Sequence, residues 1–157
     1  MTKYVALLRG IGPGNPNMTS AKFKEFFESL GFTNVKPVIS SGNVVFEATT
    51  TDEKKLEDKI EKELPKKLEF SRTTIVRSEK DLRKLLARNP YKGVEDKAPN
   101  YLLVTFFKDR RPELCSVLNM NSGQTTNFMA KLDKEYGKEI SSRTWKTVHR
   151  ILKAMEK

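Results

Sequence analysis

The hydrophobic positions of the N-terminal half switch between continuous runs and helical spacing, and each switch marks an element. Tyr4 to Leu8 is an unbroken apolar run ended by Arg9-Gly10, which predicts a strand buried on both faces. Gly10, Gly12, Pro13, Gly14 and Pro16 then exclude regular structure. Phe23, Phe26, Phe27 and Leu30 stand at i, i+3, i+4 and i+7, the pattern of a helix capped by Thr19 or Ser20 and stopped by Gly31. Val35 to Ile39 reads as a second strand, and Pro37, which cannot donate to a ladder, assigns it to a sheet edge. Ser41-Gly42 turns the chain into a third strand, Asn43 to Ala48. Leu56, Ile60 and Leu64 predict a helix over 52–64 that Pro65 ends, and Thr73 to Val76 forms a fourth, mostly polar strand.

The order β-α-β-β-α-β over residues 1–77 is that of a ferredoxin-like plait with spatial strand order four, one, three, two. The apolar first and third strands then fall in the centre. The first strand ends, and the third begins, at the same end of the sheet. Beyond residue 77, Ser78 caps a helix carrying Leu82, Leu85 and Leu86, closed by Asn89-Pro90. A polar loop leads to a strong fifth strand, Tyr101 to Phe107. Pro112 to Leu118 reads as a short helix and Asn119 to Gln124 as a turn. Phe128, Met129, Leu132 and Tyr136 mark a helix stopped by Gly137, and Ser141 or Ser142 caps a last helix to about Met155. The expected fold is α+β: a plait over 1–77 and a mainly helical second half over 78–157, with at least one more strand, packed on it.

Composition narrows the class. The chain has 157 residues, a size that needs no disulfide or metal staple, and nine Phe to anchor a core. No apolar run approaches ~18 residues, so no membrane helix is expected. The apolar run of MTKYVALLRG is too short for the core of a signal peptide. One cysteine and one histidine exclude an intramolecular disulfide and argue against a zinc site, and point to a reducing, cytoplasmic setting. Net charge is +10, and it is unevenly placed. Residues 1–50 carry +2, residues 51–100 carry +3 in a dense but balanced mixture, and residues 101–157 carry +5. An anionic partner would be drawn first to the C-terminal segment.

Three strings resemble one family. VALLRGIGPGNPNM, then LGFTNV followed by ISSGNVVF, then SSRTWKTVHRIL resemble, in that order, the uncharacterised DUF1697 family, over nearly the whole chain. The resemblance implies a plait-containing α+β protein and carries over no catalytic residue. It also implies further strand-forming residues before Asn127, where this chain has only NMNSGQTT. Either a hairpin has been lost there or the second half is built differently.

Two places carry candidate binding chemistry. Arg9, Gly10, Gly12 and Gly14 after the first strand form a G-x-G-x-G loop whose backbone N–H groups could face an anion, and Ser40, Ser41 and Asn43 offer hydroxyls and an amide beside it. The spacing is neither a dinucleotide fingerprint nor a P-loop, and turn chemistry alone would select the same residues. On the last helix, Arg143, Lys146, Arg150, Lys153 and Lys157 fall in one stripe opposite Trp145, Val148, Ile151, Leu152 and Met155. That basic ridge could hold phosphates or simply face solvent. Cys115 reads as a buried inert thiol and His149 as a flank residue, and the acidic residues of 52–63 interleave with Lys as a solubilising face. No nucleophile–base set emerges and no cofactor is called for. The expectation is therefore a non-catalytic binding module for an anionic partner, nucleic acid or another polyanion, or a phosphorylated small molecule. The alternative is a small enzyme acting on a phosphorylated or carboxylated metabolite at the glycine-loop end.

Overall fold

The computed structural model describes residues 1–157 apart from Pro13, Ser40, Ser41 and Lys157, and apart from the side chains of Ser122 and Gln124. Its elements are β1 (Thr2–Leu8), α1 (Ser20–Ser29), β2 (Thr33–Val38), β3 (Asn43–Ala48), α2 (Glu53–Lys67), β4 (Thr74–Ser78), α3 (Glu79–Ala87), β5 (Asn100–Phe107), β6 (Leu114–Asn119), α4 (Gln124–Tyr136), β7 (Ile140–Thr144) and α5 (Trp145–Met155). No helix among the described residues is long and apolar enough to cross a membrane.

The first six elements form the expected plait. Strand order is β2-β3-β1-β4, with every neighbouring pair antiparallel. Pro37 lies on the edge strand β2, and the apolar β1 and β3 are central. The reason β1 is unbroken in its hydrophobicity is visible in the core. Tyr4, Ala6 and Leu8 face one cluster with Phe23, Phe26 and Phe27 of α1 and Leu56, Ile60 and Leu64 of α2. Val5 and Leu7 face a second cluster, shared with Leu82 and Leu85 of α3, Leu102, Val104 and Phe106 of β5, and Val148, Ile151, Leu152 and Met155 of α5. The first sheet is thus covered by helices on one side and by the second half of the chain on the other.

The structure corrects the sequence reading in three places, two of them in the second half. Pro112 to Leu118 is not a helix: after Pro112 the chain enters β6, which pairs antiparallel with β5 from Asn100↔Asn119 to Thr105↔Leu114. The open ladder of β5 outweighed the weak local helix signal, because strand formation is set by cross-strand partners more than by propensity. Ser141 and Ser142 are not helix caps: they lie in β7, which completes a three-stranded sheet of order β6-β5-β7. The cap of α5 is Thr144, whose Oγ1 accepts the Thr147 N–H at 3.3 Å. Pro65 does not end α2. The helix runs on to Lys67, and the Leu68 N–H closes on the Leu64 carbonyl at 2.8 Å, with both leucines buried. The short NMNSGQTT segment is one 3₁₀ turn, Met120–Ser122, joining β6 to α4. The second half is therefore helical, as expected, and its three strands form a small sheet of their own.

Candidate functional site

The end of the first sheet assembles as expected. Leu7 stands opposite Asn43, and the Leu8 N–H donates to the Gly42 carbonyl at 2.8 Å, so the glycine loop and the start of β3 are neighbours. Gly42 has φ +81, and a Cβ there would lie 2.6 Å from Ile11 Cγ1 and 2.7 Å from the Leu8 carbonyl. Ser40 and Ser41, expected to serve this end, lie outside the described residues. Gly10 and Gly12 differ in their use. The Gly10 carbonyl accepts from Arg72 Nε at 3.2 Å. The Gly12 N–H points at Met18 Sδ, 3.3 Å away, and so is not a spare donor for an anion. Gly12 and Gly14 are exposed, with nothing within 4 Å of a Cβ placed on either.

Arg143 is not on the helical ridge. Because the cap of α5 falls at Thr144, Arg143 belongs to β7, and its guanidinium crosses to the first sheet. Nε donates to Asn43 Oδ1 at 2.5 Å, Nη2 to the Leu8 carbonyl at 3.0 Å, and Nη1 to Ser141 Oγ at 2.7 Å and the Ser142 carbonyl at 2.8 Å. Every one of these acceptors is neutral, and burial without a carboxylate lowers its pKa to about 10. Arg9 makes the reciprocal crossing. Its Nη1 donates to the Ile140 carbonyl at 3.0 Å and its Nη2 pairs with Asp133 at 2.7 Å. The two arginines clasp the glycine-loop end of the first sheet to β7 and α4. The glycine loop, Asn43 and Arg143 do converge, but the space between them is filled by hydrogen bonds.

Open space lies just beside the clasp. A cleft of about 500 Å³ is lined by Arg9, Gly10, Glu61, Arg72, Lys108 and Lys138, among others. Lys108 is paired with Glu61 and Arg9 with Asp133. Arg72 spends its hydrogen bonds on two carbonyls, those of Gly10 and Ser71, and its guanidinium stacks over Phe70. Lys138 is exposed and makes no ion pair among the described residues. Two cations of the wall thus keep their charge uncompensated, with the carboxylate of Glu139 at the rim. Arg72, Lys108 and Lys138 were not singled out by the sequence, because they come from three separate connections that only the fold brings together.

A second group escaped the sequence reading more completely. Glu53, Glu57 and Glu61 stand at i, i+4 and i+8 on α2. Their carboxylates accept the N–H groups of Ser78 at 2.7 Å, Val76 at 2.8 Å and Thr74 at 2.8 Å along β4. The match is geometric: four helical residues rise about 6 Å, and two strand residues about 6.7 Å. The row is then closed by cations. Arg110 Nη1 reaches Glu57 at 3.0 Å, Arg77 lies 3.8 Å from the same oxygen, and Lys108 pairs with Glu61. Glu57 and Arg77 are both buried, at 1% and 5% exposure. Burial, and then the neighbouring Asp81 carboxyl, raise the Glu53 pKa to about 7. The signal was present: at about 100° per residue Glu57 falls within about 20° of Leu64, in the middle of the apolar face rather than opposite it.

The ridge itself is shorter than expected. Lys146, Arg150 and Lys153 are exposed along α5, and Lys157 lies outside the described residues. Two further lysines attend the end of that helix, with Lys3 Nζ donating to the Met155 carbonyl at 2.6 Å and Lys36 Nζ to that of Ala154 at 3.4 Å, as cations do at a helix C-terminus. His149 is exposed and meets Trp145 edge-on, 4.8 Å between centroids. Cys115 is half-buried on β6, where burial pushes its thiol pKa up, away from nucleophile chemistry.

A model of the family described as a protein of unknown function, DUF1697, matches residues 1–136. Among solved structures, a conserved bacterial protein from Streptococcus pneumoniae superposes with a TM-score of 0.79 at 20% identity, over 100% of this chain and 99% of that one. At that identity the likeness speaks for the fold alone. No functionally curated protein matches the sequence.

Proposed function

This chain belongs to the DUF1697 family, and we propose that it is a non-catalytic binding module for an anionic ligand, a phosphorylated small molecule held in the cleft beside the arginine clasp. One observation carries the reading: Arg72 and Lys138 face a cleft of about 500 Å³ with their charges uncompensated, while Arg9 and Lys108 are already engaged with carboxylates. A guanidinium and an ammonium on opposite connections suit a phosphate, which accepts from both. The groups left unengaged in the cleft are cations, which favours binding over turnover. The single cysteine and the reducing conditions it suits favour a cytoplasmic setting.

Calorimetric titration against a panel of phosphorylated metabolites and a mixed-sequence oligonucleotide tests this. Arg72→Ala and Lys138→Ala should each weaken binding of the preferred small anion by about tenfold, the loss of one charged hydrogen bond. Combined substitution of Lys146, Arg150 and Lys153 by Ala should leave it unchanged. The reverse pattern, with oligonucleotide binding lost only in the α5 variant and falling steeply with salt, replaces the cleft by the ridge and the small anion by a polyanion.

A further inference from the structure

Sheet edges in this protein are closed by distinct means, with one exception. β2 carries Pro37. β4 has its N–H groups taken by glutamates. β7 has its Ile140 carbonyl held by Arg9. The edge of β6, with the sequence LCSVLN, carries no proline and no charge, and no strand but β5 pairs with it among the described residues. Each of its faces also exposes an apolar side chain. Val117 stands opposite Leu102, which is buried, yet is itself 45% exposed; Leu114, opposite Thr105 on the other face, is 38% exposed; Met120, just beyond the strand, is 52% exposed. A strand added at this edge would complete the ladder and cover side chains on both faces at once. That is the condition proteins otherwise avoid with charges or bulges.

The chemistry of the occupant follows from charge. Residues 114–130 contain no Asp, Glu, Lys or Arg, the longest such run in a chain that is 32% charged. A partner of opposite charge would find nothing to recognise here. A partner that is itself +10 would meet strong repulsion everywhere except at a neutral patch. The edge is also self-complementary, since two antiparallel strands related by a two-fold axis pair by the same groups. We propose that β6 pairs with the β6 of a second copy of this chain, joining two three-stranded sheets into one continuous sheet of six.

Sedimentation velocity under reducing conditions, from micromolar to near-millimolar protein, reads the association directly, and reducing agent removes any contribution from Cys115. The wild-type protein should dimerise, and Val117→Lys and Leu114→Lys should each weaken the dimer by about tenfold or more. Because both positions are exposed, the melting temperature of dilute protein should stay unchanged, which separates lost pairing from lost folding. Hydrogen exchange at low and high concentration supplies the backbone readout: amides of 114–119 should gain protection as concentration rises. A chain that stays monomeric throughout overturns the proposal. So does a dimer whose added protection lies elsewhere, or a monomer that protects 114–119 only on adding a neutral strand-forming peptide, which would make the edge a peptide acceptor instead.

Discussion

The strands β4 and β6 are both sheet edges, and the chain treats them in opposite ways. On β4 every second backbone N–H meets a carboxylate from α2, and each carboxylate meets a cation from β4 or the segment after β5. On β6 nothing charged is present at all. The difference tracks what lies alongside. β4 faces α2, so groups on the helix can be set against the strand in register. β6 has β5 on one side and no element pairing on the other among the described residues. An edge stabilised by buried charge is specific and fragile, because removing one partner strands the rest. A bare neutral edge contributes little to the stability of one copy.

That contrast can be tested from its strongest point downward. Glu57→Ala should be the most damaging change, destabilising by about 3–5 kcal/mol, because it leaves the buried Arg77 without its counter-charge and the Val76 N–H without its acceptor. A shift in urea midpoint worth under about 1 kcal/mol would show that the β4 edge does not depend on its charges. Arg143→Ala comes next, at about 2–3 kcal/mol, since it strips donors from the Leu8 carbonyl and Asn43 and opens the clasp between the sheets. Arg143→Lys should recover only part of that loss, because an ammonium cannot span the same acceptors.

The third test uses pH. Glu53 has its pKa raised to about 7 by burial and by Asp81, above its ordinary value of 4.5, so the folded protein holds that proton more tightly than the unfolded chain. Its contribution is complete below about pH 4.5 and is lost as pH rises through 7. Burial pushes Asp81 up, but hydrogen bonds from Glu53 and Ser78 outweigh it and lower its pKa, so its contribution runs the other way and is lost in acid. Glu53→Gln should therefore flatten the fall in stability between about pH 5 and 8, a change of about 1–3 kcal/mol. An unchanged slope would place Glu53 outside the titration. The smallest effect belongs to the other edge: Val117→Lys in dilute protein should alter stability by no more than about 0.5 kcal/mol.

The plait was legible in the sequence because its signals are local. The run at Tyr4–Leu8, the phenylalanine spacing of α1 and the proline of β2 each state their own burial, and all three sit where expected. β6 and β7 were not legible, because LCSVLN and ISSRT acquire strand character only by pairing with β5. The shift of the α5 cap from Ser141 or Ser142 to Thr144 is only a few residues, yet it moved Arg143 from an exposed ridge to a half-buried clasp. The cleft was legible in part. Arg9 and Gly10 mark its floor, but Arg72, Lys108 and Lys138 come from connections far apart in the chain. The glutamate row was hidden by the lysines between its members, which made a buried face look like a solvated one.

Gly42 sets a limit of another kind. Its missing side chain is what allows Ile11 and the Leu8 carbonyl to close over the turn, and no other residue can be accommodated there without moving one of them. Gly12 and Gly14, in the loop that follows β1, have open space around them. The glycines of this end are therefore unequal in mutational tolerance. In a saturation library selected only for folding, position 42 would remain glycine while positions 12 and 14 drift. A selection that also held 12 and 14 fixed would reveal a demand on the loop other than folding, whatever ligand imposes it.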